Sequence, residues 1–145
     1  MGTPGPRRQA REIALQVLYA ADAADHLDVD SIEALFLEIS EQFQVASRAR
    51  QWAHTLVVGV AGNLKRIDER VAGASERWKL HRLERVDRNV LRVATYELLF
   101  EPETPTEVIL DEAVEVARRF AGEASPAFVN GVLDLIARDR AAGDA

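Results

Sequence analysis

The chain has 145 residues, with 18 Lys and Arg set against 24 Asp and Glu for a formal net charge of -6, and it contains no cysteine. That length suits one domain with a sizeable core, and the missing thiols exclude a disulfide framework, a thiolate nucleophile and a cysteine-ligated zinc site. Ile13 to Ala24 is interrupted by Gln16 and Asp22, which speaks against a signal peptide or a membrane span and for a cytoplasmic protein.

In chain order, the start is basic: Arg7, Arg8 and Arg11 come before any acid. Ala10, Ile13, Ala14, Val17, Leu18 and Ala21 then recur at spacings of three and four, one apolar face of a helix beginning near Pro6, with the arginines at its exposed start. From Glu12 to Ser47 there are eight acids and no Lys or Arg, whereas the 98 residues after Ser47 carry 15 bases against 16 acids, so the polarity is local. Ser31 to Phe43 reads as a second helix through Ile32, Leu35, Phe36, Ile39 and Phe43. A single long helix is expected around Trp52, Leu56, Val60, Leu64, Ile67 and Val71.

Between Arg77 and Arg92, six bases face two acids. The next helix carries Val86, Val90, Val93, Ala94, Leu98 and Leu99. On it, Arg85, Arg88 and Arg92 fall at i, i+3 and i+7, a stripe that taken alone reads as solvated surface, with Asp87 roughly 100° away from Arg88 around the axis. Thr104-Pro105-Thr106-Glu107 signals a capped helix start with proline at the first helical position, Val108, Ile109, Ala113, Val116, Ala117 and Phe120 follow, and Gly122 is suited to a left-handed close. Ser125-Pro126 repeats the start signal ahead of Val129, Val132, Leu133 and Ile136. With no alternating strand pattern, the expected fold is all-α, about six or seven helices. Residues 1–145 are expected to form one domain with 1–5 and 140–145 as disordered ends.

Catalytic chemistry finds little support. His26, His54 and His81 share no metal-ligand spacing, and no phosphate-cradling glycine loop occurs, so neither a metal nor a cofactor is expected. Asp111 and Glu115 could be read as an acid and base pair, but Glu115 with Arg119 makes an ordinary solvated i, i+4 pair. The segment from Phe120 to Phe128 is more suggestive, since aromatics stack bases and helix-start amides hold phosphate, although spacing alone favours two core phenylalanines and a capping Ser125. Gly131, costly by about 1 kcal/mol inside a helix, suggests that another backbone packs close by.

Three segments in register, RRQAREIALQVLY, RLERVDRNVLRVATYELLF and TPTEVILDEAVEVARRFAGEASPAFVNGVLD, resemble the NusB family of bacterial transcription antitermination factors from about Arg7 to Leu135. The resemblance implies two small helical bundles packed across each other and no catalytic activity. It implies binding of boxA, a short single-stranded RNA element, together with the ribosomal small-subunit protein NusE, and assembly with RNA polymerase and other Nus factors. RNA contacts are then expected at Arg7, Arg8, Arg11, Arg92, Phe120, Ser125 and Phe128, and a NusE-facing side at Tyr19 and Asp87. Gln9, where relatives often continue the arginine run, and Asp111, where asparagine is common, depart from the family pattern.

The leading cationic helix and the turn before the last helix are thus expected to touch one RNA strand. Two rivals stand beside this reading. One is a helical adaptor that binds only polypeptides, and the other is the RNA-binding part of a ribosomal RNA cytosine methyltransferase, which needs a separate cofactor domain. A homodimer through the first helix would cover the arginines until RNA or NusE arrives.

Overall fold

The computed structural model describes residues 5–75 and 80–141; Arg77 and Lys79 of the second basic cluster, and the ends 1–4 and 142–145, lie outside the described residues. The described residues form seven α-helices and one short 3₁₀ turn, with no strand among them. The chain divides into two compact units, Met1–Gly62 and Asn63–Ala145.

The first unit contains α1 (Pro6–Ala23), α2 (Val29–Ser40) and α3 (Ser47–Gly62). Each helix packs on the other two. The apolar face anticipated for α1 is its buried face, meeting Ile32 and Phe36 of α2 and Ala53, Leu56, Val57 and Val60 of α3 in one core. α1 ends in a Schellman close: Asp25 takes φ 59°, its N–H reaches the Asp22 carbonyl, and the His26 N–H reaches Ala21 at 2.8 Å. Asp28 then caps α2 by accepting from the Ser31 N–H at 3.0 Å. Arg50 donates to the carbonyls of Ser40 at 2.9 Å and Phe43 at 3.1 Å, satisfying carbonyls at and just beyond the end of α2.

The long helix expected from Trp52 to Val71 is two helices. It breaks at Gly62-Asn63, where Asn63 leaves helical geometry at φ -127°, ψ 24°, and α4 (Leu64–Ala74) begins after it. Glycine and asparagine are both poor in helix interiors, and the pair outweighs an apolar period that runs on across the break.

The second unit contains α4, the 3₁₀ turn Leu80–Arg82, α5 (Arg85–Phe100), α6 (Thr106–Phe120) and α7 (Ser125–Ala141). α5 is its axis, packed against α4, α6 and α7 and buried without interruption from Asp87 to Leu98. Three expectations fail on α6 and α7. Pro105 is the cap residue of α6 and no side chain caps it. Gly122 is not left-handed, because Ala121 already leaves the helix in extended geometry. Gly131 is exposed, and a Cβ built on it meets nothing within 4 Å, so no backbone packs there. The expected disordered end at 140 is also corrected: Arg140 lies in α7, donating to the Thr106 hydroxyl at 2.9 Å and the Glu101 carbonyl at 2.7 Å. On α6, Glu115 pairs with Arg118 instead of Arg119, whose guanidinium lies 5.3 Å from the Phe120 ring centroid.

Candidate nucleic-acid interface

In the first unit the three arginines of α1 have different fates. A helix passes a residue every 100° or so, so Arg7, Arg8 and Arg11 span about 100° of its circumference, and the burial of each is set by what packs against it. Arg7 is exposed, and its guanidinium carbon lies 3.9 Å from the centroid of the Trp52 ring on α3. Arg8 is half-buried, whereas Arg11 is only 5% exposed, next to the core residue Ala10. The expectation of three exposed arginines is therefore corrected: Arg11 is a packed side chain, and Arg7 is the most open of the set. The first turn of α1 contains no acid, so the partial positive charge of the helix start adds to that of Arg7. Tyr19 lies farther along α1, 39% exposed.

In the second unit the sequence brings Phe120, Ser125 and Phe128 to one place because α6 ends in a short turn and α7 begins at Ser125. These three, with Asp87 and Val86 from the start of α5 and Leu83 just before it, line an open groove of about 660 Å³. Phe120 and Phe128 are half-buried, and both line the groove. Asp87 lies at the groove but is only 6% exposed, and one carboxylate oxygen, Oδ1, has no hydrogen-bond partner. Burial pushes its carboxyl above the ordinary range, the Ser125 hydroxyl draws it part of the way back by hydrogen bonding, and nearby Glu84 pushes it up again.

Arg92 is corrected most sharply. It is 4% exposed, and its Nε and Nη2 donate to Asp68 Oδ1 and Oδ2 at 2.8 and 3.0 Å while Nη1 donates to Asn89 Oδ1 at 3.0 Å. Arg88 is buried as well and donates to the Leu80 carbonyl at 3.2 Å. The expected solvated stripe on α5 is therefore an internal set of ties, because α4 and the 3₁₀ turn cover that side. Asp68 has no local signal in the sequence, lying 24 residues from its arginine. Among the described residues, no group of His, Cys, Asp and Glu could hold a metal, and no helix is long and apolar enough to cross a membrane.

The sequence model of the NusB family matches residues 8–138. The chain belongs to the NusB family. Its relatives include the transcription antitermination protein NusB of Sorangium cellulosum, 45% identical over 135 residues that span 93% of this chain and 94% of that protein. The NusB of Geobacter sulfurreducens is 44% identical over 133 residues, spanning 92% and 94%. Among solved structures, T. maritima NusB matches with a TM-score of 0.82 at 41% identity, covering 96% of this chain and 94% of its own. A chain in the crystal structure of antitermination factors NusB and NusE in complex with dsRNA matches at 0.81 with 28% identity, covering 92% and 96%. Membership in the NusB family assigns transcription antitermination, a regulatory role and not an enzymatic one.

Proposed function

We propose that this NusB-family chain holds a boxA-like single-stranded RNA in nascent transcripts together with NusE, and so suppresses termination, notably in ribosomal RNA operons, in the cytoplasm with RNA polymerase and other Nus factors. The observation that carries the reading is the groove of the second unit, where Phe120, Ser125 and Phe128 share one wall system. Half-buried rings lining an open groove can accept a splayed base, and stacking of this kind is worth roughly 1–3 kcal/mol per base. Arg7 and Arg8 at the start of α1 supply phosphate contacts, which position a strand without reading it. Tyr19, well exposed on α1, suits contact with NusE. Asp87, 6% exposed, lines the groove and is offered as part of the NusE-facing side.

A second reading, RNA duplex, is favoured by the dsRNA in the complex of the structural relative. Two features of this chain favour the single strand. A formal charge of -6 is poor for coating a polyanionic duplex, and aromatic rings cannot stack on bases that remain paired. Gel-shift titration of a boxA-like strand, a scrambled strand and a duplex, each with and without NusE, separates the readings. The expected order places the boxA-like strand first, with affinity raised by NusE through a joint surface. Equal binding of all three RNAs would reject the proposal, and no binding of any would support a polypeptide-only adaptor.

A further inference from the structure

The first unit has an open groove of about 430 Å³ lined by Pro6 and Arg7 of α1 and by Arg48, Gln51, Trp52 and Thr55 of α3. On α3 these four stand at i, i+3, i+4 and i+7, one stripe of the helix, and α1 packs directly on α3. Among the described residues, every charged side chain lining the groove is an arginine. Neither α1 nor α3 has an acid in its first turn, so each helix start adds its partial positive charge without a first-turn carboxylate to offset it. The setting makes this cationic patch conspicuous, because the chain between Glu12 and Ser47 holds eight acids and no Lys or Arg. A surface that is acidic over its length and cationic at one groove selects where a polyanion lands.

The aromatic component narrows the ligand. Arg7 lies over the Trp52 ring at 3.9 Å, a cation–π contact that holds an otherwise mobile guanidinium at the groove. The indole Nε1 is buried and without a hydrogen-bond partner, so Trp52 offers the groove its ring and not its N–H. A free phosphate would need only the charges; an arginine backed by an indole is also a platform for a flat ring, since bases stack on aromatic faces and on guanidinium planes.

We infer that the Arg7–Trp52–Arg48 groove is a nucleotide subsite for single-stranded RNA, in which a base stacks on the Arg7 and Trp52 platform while Arg48 holds the adjoining phosphate. The inference rests on the RNA-binding reading proposed above and adds Arg48, Gln51 and Trp52 to it. Arg48 is exposed, so its loss should leave the fold intact.

The test uses the full chain and a boxA-like RNA strand. Arg48→Ala should weaken binding and make the slope of log affinity against log salt shallower by about 0.7, the loss of one phosphate from a single strand. The control is Arg138→Ala, an exposed arginine on α7 that pairs with Asp134; it should leave the slope unchanged. The sequence has two tryptophans, so Trp78→Phe leaves Trp52 as the sole indole, and its emission should be quenched as RNA is added. Wild-type binding with Arg48→Ala behaving like Arg138→Ala, or an unquenched Trp52 at saturating RNA, overturns the subsite while leaving RNA binding itself intact. Absence of wild-type binding to any single strand overturns both.

Discussion

Replacing Arg92 with leucine tests whether that side chain serves the fold or the ligand. In the structure the guanidinium makes three hydrogen bonds to Asp68 and Asn89 at 2.8 to 3.0 Å, and the arginine side chain is 5% exposed. Leucine fills part of the volume but leaves Asp68 as a carboxylate without its cation in a site where it is only 20% exposed. Breaking a buried pair costs about 3–5 kcal/mol, and the residual access of Asp68 to water places this case near the lower end, at about 3 kcal/mol. For 145 residues, entropy of unfolding scales to a shift of roughly 3 °C per kcal/mol, so the melting temperature should fall by about 10 °C. Calorimetry of Arg92→Leu, Asp68→Leu and the double variant supplies the check. Removing both partners should cost clearly less than the sum of the single losses, since no orphaned charge remains. An Arg92→Leu protein that melts within 2 °C of the wild type yet fails to bind RNA would refute the structural role and restore Arg92 to the RNA surface.

Three further outcomes follow from the same geometry. Arg7→Ala with Arg8→Ala should make the salt slope shallower by about 1.4, twice the single-strand value per phosphate, whereas Arg11→Ala should lower the melting temperature and barely change the slope; the reverse pattern in salt-series titrations would contradict the burial of Arg11. Phe128→Ala should weaken a boxA-like strand by about 1–3 kcal/mol and a scrambled strand by less, measured by anisotropy, with equal losses counting against base stacking. Asp87 has a folded-state pKa raised by burial, so the folded chain holds its proton more tightly than the unfolded chain does. Its stability contribution is therefore fully present below the ordinary carboxylate range near about 4 and is lost as pH rises through the elevated folded value. Asp87→Asn should consequently match or exceed the wild type in thermal melts at pH 7, with Ser125 as acceptor for the new amide, and lose that advantage toward pH 4; a variant weaker at pH 7 than at pH 4 would mean the carboxylate charge is stabilising.

Local periodicity made much of this molecule legible. The apolar faces of α1, α5, α6 and α7 were readable because spacings of three and four report burial directly, and the Ser125 start of α7 was readable because proline at a first turn is a local signal. The two phenylalanines flanking the turn were visible in the residues themselves, the resemblance to the NusB family supplied their expected RNA role, and the groove places both rings together with Ser125. What failed depended on partners distant in sequence. Arg88 and Arg92 look like a solvated stripe until α4 and the 3₁₀ turn cover them, and Arg11 looks like its neighbours until α1 is packed. The break at Gly62-Asn63 had a local cue in two poor helix formers, masked by the unbroken run of Val60, Leu64 and Ile67. Arg48 and Trp52, at i and i+4 on α3, become a feature only when Arg7 from another helix arrives over the indole.

The proposed function requires RNA contact by the cationic surface of the first unit and by the aromatic groove of the second. A double-mutant cycle of Arg7→Ala/Arg8→Ala against Phe128→Ala, read as affinity for one boxA-like strand at two salt concentrations, addresses it most directly. Both changes should weaken binding, with only the arginine pair altering the salt slope and only Phe128 altering the preference over a scrambled strand. Full wild-type affinity and preference in the combined variant would contradict the claim.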